Sequence, residues 1–196
     1  SAAISLWWSW YVRGKYGEGR RLLAAILGVP EAEQHLLHAK VLAGAGALAL
    51  LQCDYDGAVA LLEESIRNAR EAGDRVTLAR ALQFRGSIAR ERGEYAEAID
   101  LHLLAKIMWA ESDDRANVGR SLNYVGFASW LNGDCQRTTE LCEATLQTFR
   151  ELRDVEGVAW SLLNLAAAAL YTGNLLRAEE RLDECLAWSR AGGFRS

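Results

Sequence analysis

A three-residue turn returns along this chain at a nearly constant interval, and that period constrains the fold more than any local motif does. The turn occurs as Gly14-Lys15-Tyr16, Cys53-Asp54-Tyr55, Gly93-Glu94-Tyr95, Gly133-Asp134-Cys135 and Gly173-Asn174-Leu175, in steps of 39, 40, 40 and 40 residues. A leucine keeps the same step at Leu42, Leu82, Leu122 and Leu162, and a small residue follows four positions later at Gly46, Gly86, Gly126 and Ala166. Residues 82–105 show what one unit contains: two amphipathic helices joined by the tight turn at Gly93-Glu94-Tyr95. A single helix pair buries too little apolar surface to be stable alone, so a fixed period of this length means stacked units with a shared core.

Composition agrees with an all-α chain. Alanine, leucine, glutamate and arginine dominate, all strong helix formers, and there is one proline, Pro30. We expect a single helical-repeat domain over 1–196, with units at 1–30, 35–73, 75–113, 115–153 and 155–191. First helices are expected at about 35–52, 76–92, 116–132 and 156–172, and second helices at about 55–72, 95–111, 135–152 and 175–190. The first unit reads as Ala2–Arg13 and about Gly17–Leu27, closed by Gly28 and Pro30. Asp74, Asp114 and Asp154, again 40 apart, fall where they can accept from the free N–H groups at each next helix start. Asp54, Glu94, Asp134 and Asn174 are expected to do the same at the turn inside each unit. The small residues of the first helices are expected to touch Ala58, Ala98, Thr138 and Ala178 on the second helices.

The net charge is −4 with both signs interleaved, so no direct nucleic-acid binding by this segment is expected. No stretch approaches the ~20 apolar residues that span a bilayer. The run Ala2 to Val12 is shorter and lacks a basic leader, so it does not read as a signal peptide. It begins inside a helix pattern, and the chain is expected to be a fragment of a longer protein. Leu6, Trp7, Trp8 and Trp10 cannot all face one neighbouring helix, which leads us to expect self-association through this tryptophan-rich helix. Cys53, Cys135, Cys142 and Cys185 read as reduced thiols, three of them interior, which suits a cytoplasmic setting.

Motifs of chemistry are weak here. Gly44-Ala45-Gly46-Ala47-Leu48-Ala49 loosely matches a dinucleotide fingerprint, but it lies within a helix, and Gly46 is the repeat's packing residue. No Walker A sequence occurs. His35 with His38, and Cys135 with Cys142, lack the further ligands of a closed zinc site. His102 stands where other units carry leucine or cysteine and reads as a hydrogen-bonded histidine at the core edge. Glu63-Glu64 and Glu179-Glu180 read as solvated helix surface. No nucleophile–base pair is apparent. No enzyme activity, cofactor or metal is expected.

The turn, the small residue eight positions into the first helix and the alanine five residues after the turn glycine together resemble the tetratricopeptide repeat, over nearly the whole chain. The 40-residue period exceeds the basic 34 of that family. A narrower resemblance lies in Leu6-Trp7-Trp8-Ser9-Trp10-Tyr11-Val12-Arg13-Gly14, and in the stretches at 121–124 and 161–164. These look like the helical region of bacterial signal-transduction ATPases that act as LuxR-type transcriptional regulators. The resemblance implies an α-solenoid of about five helix-turn-helix repeats in a right-handed superhelix, with first helices inside. It implies a non-catalytic sensor or docking segment of a cytoplasmic regulator; the alternative is a stand-alone scaffold joining proteins.

In that family the hollow is lined by one stripe of each first helix. Carried to this sequence, the stripe selects Lys40, then Arg80, Gln83 and Phe84, then Arg120, Asn123, Tyr124 and Phe127, then Trp160, Asn164 and Tyr171. Trp130 joins these as an aromatic facing the hollow, with core packing an open alternative for it and for Phe127. Cations, amides and aromatics in register suit an acidic or extended peptide first, and a small effector such as an oligosaccharide second. The competing reading of the arginines is that they are solvated or paired with neighbouring acids.

Overall fold

The structure is a computed structural model. It describes residues 9–10, 12–28 and 35–192, without the side chains of 35 and 36. Among these residues there are nine helices and no strand. They are α1 (Tyr16–Leu27), α2 (His35–Leu51), α3 (Tyr55–Glu71), α4 (Arg75–Glu91), α5 (Tyr95–Ala110), α6 (Arg115–Leu131), α7 (Cys135–Leu152), α8 (Val155–Tyr171) and α9 (Leu175–Ala191). From α2 onward each boundary lies within one residue of the position expected from the 40-residue period. Leu6, Trp7 and Trp8, and the self-association built on them, lie outside the described residues.

Capping explains the agreement. Asp74, Asp114 and Asp154 each accept from the N–H three residues on, at 3.2, 3.0 and 3.0 Å. Asp54, Asp134 and Asn174 do the same inside the pairs. Glu94 does not: its side chain makes no cap hydrogen bond. One extra methylene carries a glutamate carboxylate past the geometry that a short aspartate or asparagine satisfies. The turns end on residues in the left-handed region. Gly133, at φ 88°, suits this conformation, whereas Cys53, Asp113 and Arg153 hold it at 57°, 54° and 54° without that freedom.

The chain forms two compact units, 1–92 and 93–196. In the first, α2 packs on α1 and α3, α3 packs on α4, and α2 also touches α4. Trp10, Leu23, Val41, Ala45 and Leu48 form one buried cluster there. The Gly46 position lies so close to Leu62 that a Cβ would meet its Cγ at 2.7 Å.

In the second unit α5 through α9 pack in succession, and the first helices α6 and α8 touch across the repeat. The second helices α7 and α9 stand further apart and are bridged by long side chains, Glu143 with Arg177 and Arg181, and Arg150 with Glu184. First helices that meet while second helices splay apart put the hollow of this unit on the α6–α8 side. Its core holds Cys142, Leu146, Phe149, Val158, Leu162 and Leu165. Gly126 lies against Cys142, and Thr138 Oγ1 donates to the Gly126 carbonyl at 2.8 Å, tying α7 to α6. Among the described residues no helix is long and apolar enough to cross a membrane.

Candidate functional site

The α6–α8 side of the second unit contains a shallow, open groove with a cavity volume of about 20 Å³. Its lining from α6 is Arg120, Asn123, Tyr124 and Phe127, a single stripe at helical spacing. From α8 come Glu156, Gly157, Trp160 and Asn164. Six of these eight were selected from the sequence; Glu156 and Gly157 were not. Trp130 and Tyr171 lie elsewhere: Trp130 stacks behind Phe127, and Tyr171 is exposed at the far end of α8.

The floor is rigid because its polar groups are already used. Asn123 is 4% exposed. Its Nδ2 donates to Ser161 Oγ at 2.9 Å, and its Oδ1 accepts from Thr145 Oγ1 at 2.6 Å. Asn164, equally buried, donates to the Asn123 carbonyl at 3.0 Å. One asparagine thus holds α6, α7 and α8 in register through a fully buried network. Gly157 is bare because Phe149 lies beneath it; a Cβ there would meet Phe149 Cδ1 at 2.3 Å. Gly119 presses on the same ring from α6, so the phenyl group sits between two glycines.

The walls are aromatic. Phe127 stacks on Trp130 with centroids 5.8 Å apart and faces Trp160 at 6.4 Å, the planes opening by 37°. Tyr124 stacks on the buried His102 ring at 4.9 Å. Trp160 is 44% exposed, so an indole face of some size meets solvent. The Trp130 indole nitrogen is buried with no hydrogen-bond partner among the described residues, which marks it as packing behind the wall.

Two of the cations follow the competing reading from the sequence and pair with neighbouring acids. Arg120 donates to Asp154, the cap of α8, at 2.6 Å, and its guanidinium lies 5.9 Å over the Phe149 ring. Lys40 in the first unit likewise approaches Asp74, the cap of α4, at 3.5 Å. In both pairs the cation precedes the cap by 34 residues, so the pairing belongs to the repeat itself. Burial pushes the Asp74 carboxyl up, but the Thr77 hydroxyl and N–H, with Lys40, hold it below the usual carboxylate value. Glu156, on the groove wall, is exposed and has no ion-pair partner among the described residues. Arg80, Gln83 and Phe84 lie on α4 in the first unit, Gln83 buried and the other two half-buried.

Burial raises the thiols of Cys142, Cys185 and Cys135, that of Cys142 to about 12, so they serve as small apolar groups. Among the described residues no group of three or more histidine, cysteine or acidic side chains is placed to hold a metal ion.

Comparison with known proteins supports the architecture. No family model matches the chain, and no curated protein matches it. Among solved structures, BtubC from P. vanneervenii aligns with a TM-score of 0.80 at 17% identity, covering 98% of this chain and 81% of that one. A kinesin-light-chain protein of Podosopora anserina with nearly identical TPR-like repeats aligns at 0.72, with 19% identity over 100% of this chain and 96% of its own. A MamA RS-1 double mutant aligns at 0.63 and 15% identity, covering 98% and 97% of the two chains. At these identities the likeness is one of fold: the chain is an all-α solenoid of TPR-like repeats.

Proposed function

We propose that this chain is a non-catalytic binding module whose α6–α8 groove takes an extended segment of a protein partner. The observation that carries the reading is the exposed aromatic wall formed by Phe127 and Trp160 over a rigid, hydrogen-bonded floor. A preorganised floor costs little ordering on binding, and half-exposed aromatics supply most of the energy at such interfaces. No set of groups in the groove supplies a nucleophile with its base. A small effector is the competing occupant. The residues on α4, with Lys40, belong to this proposal as a second lining in the first unit.

The resemblance of residues 6–14, 121–124 and 161–164 supports a role as the docking or sensing segment of a cytoplasmic transcriptional regulator whose ATPase core lies elsewhere. A stand-alone scaffold is the alternative. Self-association through Trp7 and Trp8 is part of the same proposal. The test is site-specific photo-crosslinking in cells, with the reactive group placed at Trp160 or at the exposed Glu140 of α7. A discrete partner band at 160, absent at 140, is the expected result. Bands at 140 alone would move the binding surface to the second helices.

A further inference from the structure

We infer that the groove recognises a cationic side chain of the partner, an arginine, rather than an acidic one. The inference rests on the groove being the binding site and specifies its chemistry. Arg120 is the group that would have favoured an anion. It is held by Asp154 at 2.6 Å, in a pairing that the repeat also makes with Lys40 and Asp74. Its charge is therefore matched within the fold. Glu156 has no ion-pair partner among the described residues, and it lies on the same wall as Trp160, one helical turn away. Arg120, Asp154 and Glu156 together leave one negative charge at the groove mouth.

The aromatic geometry favours the same sign. The Phe127 and Trp160 centroids are 6.4 Å apart, so one cation can lie within about 6 Å of both ring faces. Tryptophan is the strongest of the aromatic cation acceptors, and a planar guanidinium stacks on it while donating two parallel hydrogen bonds to a carboxylate. Glu156 supplies that carboxylate. A leucine side chain would satisfy the rings and leave Glu156 unused. A carboxylate would meet the negative faces of the rings and Glu156 together.

The experiment is nuclear magnetic resonance of the full 196-residue chain, following the Trp160 indole N–H. Three matched probes are titrated: acetyl-Gly-Arg-Gly-amide and its Leu and Glu counterparts. The arginine probe should shift the resonance saturably, and the other two should bind at least about fivefold more weakly, as expected for loss of a charge-assisted pair. Glu156→Gln should weaken the arginine probe about fivefold, while Glu179→Gln, an equal charge change on exposed α9, should leave it unchanged. Equal binding of the leucine probe, tighter binding of the glutamate probe, or equal effects of the two glutamine variants would each overturn the arginine assignment and leave the groove standing. A resonance that no probe moves would overturn the groove as well.

Discussion

Gly126 gives the sharpest test of how the helix pairs are held. A Cβ built at that position would meet Cys142 Sγ at 2.7 Å, about an ångström inside normal contact, and Cys142 is fully buried with no space to retreat. Overpacking of this kind costs about 1–3 kcal/mol, while alanine regains about 0.8–1 kcal/mol of helix propensity over glycine. Gly126→Ala should therefore destabilise by about 1 kcal/mol. Cys142 has its thiol raised to about 12 by burial, so it is neutral below that value, and Cys142→Ala removes apolar contact and no charge. That deletion should cost about 1 kcal/mol by itself. In the double variant the clash is gone, the new methyl occupies part of the vacated space, and the propensity gain survives. Its stability should return to within about 0.5 kcal/mol of the parent, a coupling of about 2 kcal/mol where independent sites add within 0.3–0.5. Urea unfolding with linear extrapolation measures all four corners. Additive losses would show that the glycine is not small because of the cysteine. Ala166, the equivalent residue on α8, already carries a methyl, and Leu182, which stands 16 residues on as Cys142 does from Gly126, is 38% exposed.

Two further expectations concern the turns. Cys53 and Arg153 hold φ at 57° and 54°, a conformation that costs a side-chain-bearing residue about 1–2 kcal/mol and glycine little. After glycine's greater chain entropy is subtracted, Cys53→Gly and Arg153→Gly should each stabilise by about 0.5–1 kcal/mol, visible as a higher midpoint in thermal melts. Asp74, whose carboxyl is held below its ordinary value, contributes stability that is complete above an unfolded pKa near 3.8 and is lost as pH falls through the lower folded value. Asp74→Ala should cost about 1 kcal/mol at pH 7, and its difference from the parent in urea should narrow below pH 4; a pH-independent difference would leave no part for the carboxylate charge.

The helices were legible because three independent signals share one period: the turn residue, the small residue and the capping aspartate. Each is a local requirement of backbone or contact distance, so each shows in the sequence directly. Glu94 shows the limit of that reading, since being acidic at the right place does not give the reach of an aspartate. The groove was legible as a stripe but incomplete. Gly157 carried a signal, because a glycine inside a helix costs about 1 kcal/mol and calls for a reason. The reason, the Phe149 ring beneath it, depends on two helices meeting and is not written in either one. Asn123 was selected as a ligand contact from its polarity and position. Its burial among Thr145, Ser161 and Asn164 follows from α7 and α8 closing over it, which a one-helix stripe does not show.

The cations show most clearly how a repeat divides its residues between fold and function. Lys40, Arg80 and Arg120 keep a 40-residue register, and so do Asp74, Asp114 and Asp154, offset from them by 34. The pairs Lys40–Asp74 and Arg120–Asp154 show what that offset does: a cation on one first helix holds the cap of the next. Such a ladder is demanded by stacking, whatever the array binds. The same register breaks once in the fifth unit, where Trp160 replaces the cation and Phe194 stands 34 residues on in place of an aspartate. Position 160 therefore carries no cation that could hold a cap. It carries instead a half-exposed indole on the groove wall beside Glu156, which has no ion-pair partner among the described residues. Residues that obey the ladder are therefore poor guides to the ligand, and the place where the ladder lapses is the better one. By that criterion we propose that Trp160 and Glu156, rather than the arginines, set what this groove selects.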